Sequence, residues 1–448
     1  MSRTVGSEGK CYDHRSLLFT STSHANDVGY KRPDIGKRRV AASFSAKSSP
    51  DAVLDDFSFP APLVLPGDDL SIDPKYPPQS ARSWDREKDR NPVTQERRTI
   101  YVAAPPTVSH DVQFVQRWTK PRHISPREAS IATPSIGDII DYLKAFYYEL
   151  PVKLLPSKLR FNCWDENDPQ ANASYLNSGY IGLETSSECV GIRTRAMSNG
   201  DFVQQLNLND LLDAAIEILP EDAYTLLLLV HHDLYEDEED VFVCGRAYGG
   251  SRIAVISTAR YNPALDKRQN VPQEHAWPAS HCQEYVDECC SKSSSKANKK
   301  KTVSTQSSLY PGAPTSVEET SNSPLHAAVN AYKTLPSLNS NSKAAMLSGL
   351  WLSRCCRTAS HELGHCFGID HCVYYACVMQ GSASIVEDAR QPPYLCPVDL
   401  AKLLRSTGAS SVQRYQDLMC FCDKHKDTPM FAAFGAWIRA RLTTLSHD

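Results

Sequence analysis

The sequence lacks an apolar run long enough to cross a membrane. Its longest compact apolar run, Leu226 to Val230, has the length of a strand, whereas a membrane-spanning helix needs about 20 apolar residues. The first residues, MSRTVGSEGKCYDHR, also lack the apolar stretch of a secretory signal. These absences predict an intracellular protein, cytoplasmic or nuclear, without a signal peptide or a transmembrane segment.

The chain has little excess charge of either sign. Its 48 basic and 52 acidic residues leave a formal net charge of −4, which gives no reason to expect binding to nucleic acid or to an anionic membrane surface. Apolar residues make up 41% of the chain, enough for a folded core. The length of 448 residues fits two or three domains, or one domain with unfolded extensions.

Cysteine, in contrast, is plentiful. An odd number of cysteines, fifteen, in a chain without an export signal argues against a disulfide framework and favours metal binding. Residues 1–288 hold five of them and residues 289–448 hold ten, several close to a histidine cluster. We therefore look for metal ligands in the C-terminal part of the chain.

Composition divides the chain into three parts. Residues 1–56 are polar and aperiodic, which predicts a disordered tail. Residues 57–97 include FPAPLVLPGDDLSIDPKYPPQS, whose six prolines exclude regular helix and central strand and predict an extended arm. Residues 98–448 are predicted to form one domain, interrupted at about 265–340 by a low-complexity insertion. The basic stretch at 291–308 is interpreted as solvated surface, with an interaction or targeting patch as the alternative.

Hydrophobic periodicity predicts a mixed α/β fold. Strands are predicted at 99–106, 158–164, 224–232, 240–247 and 252–261, and helices at 136–150, 208–220 and from Asn341 or Ser342 to Gly368. The short link between the last two strands permits an antiparallel hairpin. We therefore expect a mixed sheet with an antiparallel strand at or near one edge, packed on the long final helix.

The end of that long helix carries the segment HELGHCFGIDH. His361 and His365 are four residues apart, which places both rings on one helix face, within reach of one ion. Glu362 can lean over a metal-bound water, and Gly368 lets the chain reverse so that His371 returns as a third ligand. Three protein ligands leave the fourth zinc position open, as in catalytic sites. Two unrelated surface histidines are the alternative for a bare HExxH, and the longer match disfavours it.

Three cysteines near this motif predict a second metal site. Cys372 directly follows His371, Cys377 lies five residues further on, and Cys396 stands in LCPVD. Thiolates at these spacings can form a closed structural zinc site. Three reduced, buried cysteines are the alternative.

The pattern HELGHCFGIDHC, VYYA, Cys377, Val378, Met379 and then Cys396 resembles the archaemetzincin family. The resemblance implies a metzincin-like fold with a Cys-rich C-terminal subdomain, and a catalytic zinc held by His361, His365 and His371 with Glu362 as general base. It also implies that Met379 lies beneath the metal and that a four-cysteine site holds a structural zinc. It covers residues of about 57–265 and 343–440.

One position departs from the family pattern. Asp399 stands where the family has its last cysteine. Asp399 could bind zinc through oxygen, Cys420 or Cys422 could replace it, or the second site could be weaker or absent.

The resulting functional hypothesis is a zinc metallopeptidase that acts on peptides or proteins. The alternative is a non-catalytic zinc-binding or protein-interaction module, which would have no need of the carboxylate of Glu362. We further expect the substrate to lie extended along the strand Val241 to Ala247, because an edge strand offers unpaired backbone groups.

Overall fold

The computed structural model describes residues 16–45, 56–164, 179–197, 200–294, 323–336 and 343–445. Its strands, in chain order, are β1 (Thr99–Ala103), β2 (Thr107–Val108), β3 (Val152–Leu154), β4 (Arg160–Asn162), β5 (Tyr180–Glu184), β6 (Cys189–Ala196), β7 (Gln204–Asn207), β8 (Ala223–Val230), β9 (Asp233–Tyr235), β10 (Gly245–Tyr248) and β11 (Ile253–Ser257).

The α-helices of these residues are α1 (Ser23–Val28), α2 (Ile35–Ala41), α3 (Asp69–Ile72), α4 (Ala81–Asp85), α5 (Ile136–Phe146), α6 (Leu208–Glu217), α7 (Gln283–Ser294), α8 (Pro324–Thr334), α9 (Ala344–Cys366), α10 (Ile385–Arg390), α11 (Pro397–Thr407), α12 (Ser411–Lys424) and α13 (Pro429–Leu445). None of them is long and apolar enough to span a bilayer.

The first sheet has the strand order β10-β11-β8-β1-β3. Its strands are parallel except β10, which pairs antiparallel with β11 at the edge, as the sequence predicts. Every residue of β8 is buried. Alternate residues of β8 belong to two different apolar clusters, one shared with α5 and α9 and the other with α6. This two-sided burial explains the continuous apolar run.

A second, six-stranded sheet has the order β2-β4-β5-β6-β7-β9. Of its strands, the sequence predicted only β4. The others are short or mix polar with apolar residues, as β6 (CVGIRTRA) and β7 (QQLN) do. Their pairing with neighbours, rather than their own periodicity, makes them strands.

The long helix α9 begins with partly exposed residues and carries the metal-binding motif at its C-terminal end. Most of its second half is buried, beginning at Leu350. It ends at Cys366, two residues before the predicted stop at Gly368, whose φ of 72° is a left-handed conformation that glycine adopts without strain. The predicted N-cap residues, Asn341 and Ser342, lie outside the described residues, and α9 follows Lys343.

The prediction of a disordered tail is wrong for residues 16–45. The side chains of Thr22 and Asp34 cap α1 and α2, and the Tyr30 hydroxyl donates to the carbonyl of Val373 at 2.6 Å. Contacts with distant residues, such as that of Tyr30, stabilise this segment, and its polar local sequence gives no sign of them. Residues 1–15 and 46–55 of the predicted tail lie outside the described residues.

The arm and the insertion also differ in part from expectation. The arm is extended and buried at 59–65. It also contains the short helices α3 and α4, so the prediction that its prolines exclude regular helix is wrong there. Within the predicted insertion, residues 265–294 and 323–336 are folded, and Trp277 and Ala328 join the main apolar cluster. The low-complexity stretch at 295–322 lies outside the described residues.

The C-terminal helices form the predicted cysteine-rich region. Helices α12 and α13 pack on each other, while α5 contacts α12 and α8 contacts α13. Trp437 of α13 is fully buried and donates through its indole N–H to the carbonyl of Ser58 at 3.1 Å. The arm is therefore held between this region and the motif-bearing helix.

Candidate metal centre

The three histidines predicted as ligands converge at the end of α9. The Nε2 atoms of His361 and His365 are 3.1 Å apart. The His371 ring centroid lies 5.4 Å from that of His361 and 5.0 Å from that of His365. One potential ligand atom of each residue lies within 4.8 Å of those of the other two, so the three can bind one ion.

Backbone carbonyls orient the two helical histidines. Nδ1 of His361 lies 2.7 Å from the carbonyl oxygen of Val378, and Nδ1 of His365 lies 2.8 Å from that of Ile369. A carbonyl only accepts, so each Nδ1 carries the proton and each Nε2 keeps its lone pair for a metal. Burial lowers the pKa of His365 to about 4 and that of His361 well below its usual range. Both rings are therefore neutral at pH 7, the form that binds zinc.

His371 reaches the site from the segment beyond Gly368. A Cβ atom on Gly381 would lie 2.2 Å from a carboxylate oxygen of Asp69 and 2.9 Å from Nδ1 of His371. Asp69 and His371 therefore flank Gly381, where only glycine leaves room for both. Burial lowers the pKa of His371, and the carboxylates of Asp69 and Asp370 oppose this effect.

Glu362 lies on α9 directly after the first histidine, and only 8% of its surface is exposed. Burial raises the pKa of Glu362 to about 8, and the positive charge of Arg246 on β10 opposes this. A divalent cation held by the histidines would favour the carboxylate form still further. The site thus places a buried carboxyl group on the residue directly after the first histidine.

The edge strand β10 and the turn after it lie against the histidine-bearing end of α9. A Cβ atom on Gly249 would be 2.6 Å from the carbonyl oxygen of His365. This close approach sets the end of β10 beside the site. In the sheet order β10 is terminal, with β11 as its neighbour.

A second cluster of potential metal ligands begins at Cys372, the residue directly after His371. The Sγ atoms of Cys372 and Cys396 are 3.5 Å apart, and one carboxylate oxygen of Asp399 lies 3.3 Å from Sγ of both Cys377 and Cys396. All four residues are buried, and their potential ligand atoms lie within 4.8 Å of one another. Three thiols and a carboxylate match the donors that zinc prefers in closed sites.

The carboxyl group of Asp399 is shared between this cluster and a lysine. Its other oxygen accepts from Nζ of Lys402 at 2.8 Å. Burial and the neighbouring Cys372 raise the pKa of Asp399 to about 7, and Lys402 opposes them. One oxygen is thus available to a metal while the other is held in an ion pair.

The chain is similar to several known proteins. The model of Peptidase family M54 matches residues 339–405, which carry both clusters. Archaemetzincin-2 of Homo sapiens is 26% identical over 355 residues, 75% of this chain and 76% of that protein. Archaemetzincin-2 of Mus musculus is 28% identical over 348 residues, 74% of each chain. The crystal structure of archaemetzincin from Methanopyrus kandleri aligns with a TM-score of 0.31 and 17% identity, over 70% of this chain and 98% of that one.

The chain thus matches Peptidase family M54 over residues 339–405 and is similar to archaemetzincins over about three quarters of its length. It is therefore a zinc-dependent metallopeptidase. Its three histidines are arranged as the archaemetzincin pattern implies. A Cβ atom on Gly364 would be 2.4 Å from the sulfur of Met379. The methionine therefore packs against α9 between the two helical histidines.

The chain differs from the archaemetzincin pattern at the fourth position of the second cluster, which we call the sulfur cluster (Cys372, Cys377, Cys396 and Asp399). The structure distinguishes among the candidates for that position. Asp399 is there. Cys420 is exposed on α12. Cys422 is buried against α13, where its Cβ lies 3.2 Å from the Cβ position of Gly435. Neither Cys420 nor Cys422 therefore occupies the fourth position of this cluster.

Sequence reasoning missed the residues by which the arm supports the histidine site. The Trp84 indole donates to the carbonyl of Phe367 at 2.8 Å, Gln79 contacts Gly368 and Asp370, and Asp69 flanks His371. The apolar residues of the arm, Phe57, Phe59, Leu63 and Leu65, predict that it packs on another surface of the protein. Nothing in its sequence indicated that the surface would be the metal-binding turn.

Proposed function

We propose that His361, His365 and His371 hold a catalytic zinc ion and that Glu362 is the general base of peptide hydrolysis. The convergence of three neutral imidazoles beside a buried carboxylate carries this proposal. A bound zinc ion would lower the pKa of water and polarise the scissile carbonyl. The histidines fit that ion in donor type and number, and His361 and His365 fit it also in the orientation of their Nε2 atoms.

Residues of this chain then transfer the proton and orient the metal ligands. Glu362 accepts a proton from the attacking water and returns it to the leaving amine. The low exposure of Glu362 keeps competing solvent away from its carboxylate. The carbonyls of Val378 and Ile369 hold the imidazoles in one tautomer, so no ring has to reorient during the reaction.

The second cluster is proposed to hold a structural zinc through Cys372, Cys377, Cys396 and Asp399. Four buried donors fill a tetrahedral shell and leave no open position, as in structural sites. Because Cys372 follows His371 directly, a metal here would fix the segment that carries the third catalytic ligand.

Replacement of Cys377 by serine tests this second site. Cys377→Ser is expected to lower the zinc content from two equivalents per chain to one, because a serine hydroxyl is a poor zinc ligand. Elemental analysis of the purified protein measures this, with Cys420→Ser, an exposed cysteine on α12, as the matched control. One equivalent in the parent protein that persists in Cys377→Ser would rule the second zinc out.

The substrate is proposed to bind along β10 as an added strand. The strand itself is Gly245–Tyr248, which overlaps the predicted stretch Val241–Ala247 only at 245–247, and Val243 forms an isolated antiparallel bridge with Leu234. The available edge is therefore shorter and closer to Gly249 than the sequence suggested. Main-chain hydrogen bonds to such an edge give affinity without demanding a particular side chain.

A structure with a bound peptide inhibitor tests this placement. We expect the peptide backbone to be hydrogen-bonded to residues 245–248, with its zinc-binding group among the histidines. A peptide that binds on another element would refute the proposal. A peptide-library cleavage assay with zinc analysis tests the peptidase function itself, and a binding module would retain ligands without cleaving them.

A further inference from the structure

Gln79 contacts both the turn that precedes His371 and a lysine beside the sulfur cluster. It lies in the arm between α3 and α4 and is 7% exposed. Its Nε2 donates to the carbonyl oxygen of Gly368 at 2.9 Å, and its Oε1 accepts from the backbone N–H of Asp370 at 3.1 Å. One side chain therefore holds both ends of the turn that precedes His371.

The same amide oxygen of Gln79 also contacts the sulfur cluster, through a lysine. Nζ of Lys402 donates to Oε1 of Gln79 at 2.7 Å and to Asp399 at 2.8 Å. Lys402 and Asp399 are each 1% exposed. A buried lysine is costly unless its charge is paired and its protons are bonded, and here Asp399 and Gln79 do both.

These contacts join the two sites in one continuous series. Asp399 faces two of the thiols with one oxygen and Lys402 with the other. Lys402 contacts Gln79, which holds the backbone at Gly368 and Asp370. Between those two residues lies Ile369, whose carbonyl orients His365, and His371 follows directly. Two of the three histidine ligands thus depend on a turn that Gln79 braces.

The substitution at position 399 makes this arrangement possible. A thiolate in that place would present one ligand atom to the metal. A carboxylate has a second oxygen, which is free to bind Lys402 while the first faces the metal site. A metal at the sulfur cluster would fix Asp399 in that orientation and thereby fix Lys402.

We propose that Gln79 and Lys402 are positioning residues that couple the sulfur cluster to the histidine site. Occupancy of the sulfur cluster holds Asp399, Lys402 and Gln79 in place, and Gln79 holds the turn that sets His365 and His371. The coupling is a free energy between two sites, so it acts in both directions. The proposal rests on the proposed function only in that the histidines bind zinc.

Zinc affinity of the histidine site, measured by competition with a chromophoric chelator, tests the coupling. The sulfur cluster is monitored separately by the thiolate charge-transfer absorption of added Co²⁺. Gln79→Leu is expected to weaken zinc binding at the histidines by about 10- to 100-fold, the usual cost of losing an outer-shell partner. Lys402→Met is expected to weaken it as well, although Lys402 contacts no histidine ligand. Lys402→Arg, which keeps the charge, should restore part of the affinity.

The double variant separates coupling from general destabilisation. Because the two residues act in one series, Gln79→Leu with Lys402→Met should bind zinc at the histidines no more weakly than Gln79→Leu alone. Gln116→Leu, at an exposed glutamine outside both clusters, is the matched control and should match the parent. The thermal unfolding midpoint is recorded for every variant.

Two results would overturn the proposal. One is a lowered unfolding midpoint with parent-like zinc affinity at the histidines, which assigns Gln79 and Lys402 a purely structural role. The other is an additive loss in the double variant. Failure of the proposed function is distinguishable from failure of the coupling. A parent protein that shows the coupled metal affinities but cleaves no peptide would refute the peptidase mechanism alone.

Discussion

Glu362→Gln is expected to lower peptidase activity by about 10²- to 10⁴-fold, the contribution typical of a positioned general base. The amide has nearly the same shape as the carboxylate but cannot take a proton at neutral pH. Zinc content should stay at the parent level, because Glu362 is not among the residues that converge on the metal position. Initial rates on a fluorogenic peptide library, together with elemental analysis, measure both quantities.

Glu217→Gln is a matched control for this variant. Glu217 is an exposed residue at the end of α6, away from both clusters, so its replacement should leave activity and zinc unchanged. Loss of zinc in Glu362→Gln would make Glu362 a ligand or a support for one. Retained activity would remove it from the mechanism. If the parent itself cleaves nothing in the library, the non-catalytic zinc-binding alternative is favoured.

Replacement of any one of the three histidines is expected to abolish activity and to remove one zinc equivalent. His361→Ala and His365→Ala each leave one imidazole on α9, and His371→Ala leaves the helical pair alone. Two neutral ligands hold zinc far more weakly than three in a preformed site. The measurements are zinc content after dialysis against a weak chelator and peptide cleavage in the same samples.

A matched histidine control is His110→Ala, since the His110 side chain is 92% exposed. It should behave as the parent in both measurements. The histidine variants should also keep the thiolate absorption of Co²⁺ at the sulfur cluster, which shows that the fold persists. Parent-level zinc in all three variants would refute the assignment of the site.

Much of the fold that surrounds the site was accessible from local sequence. Helices α5 and α6 and strand β8 stand close to their predicted positions, and Asn207 caps α6 as expected. Each has a strong period or a continuous apolar run, so its own residues specify it. The second sheet was missed because strands such as β7 are recognisable only when paired.

The sequence by itself determined the candidate catalytic group. The spacing of His361 and His365 is a property of the helix, and Glu362 and Gly368 are placed by the same short segment. His371 follows within a few residues, so the chain has little freedom to carry it elsewhere. Local geometry therefore suffices to predict that these residues meet, whatever the rest of the fold does.

Only the tertiary structure decided what surrounds that group. Asp399 rather than Cys422 completes the sulfur cluster because α11 begins at that cluster, whereas α12 turns Cys422 towards α13. Gln79 meets Gly368 across 289 residues of sequence, and Tyr30 meets Val373 across 343. Contacts between residues so far apart in the chain produce no periodicity or spacing that a local sequence pattern could reveal. They arise because buried polar groups must find partners once the chain has folded, wherever those partners lie in the sequence.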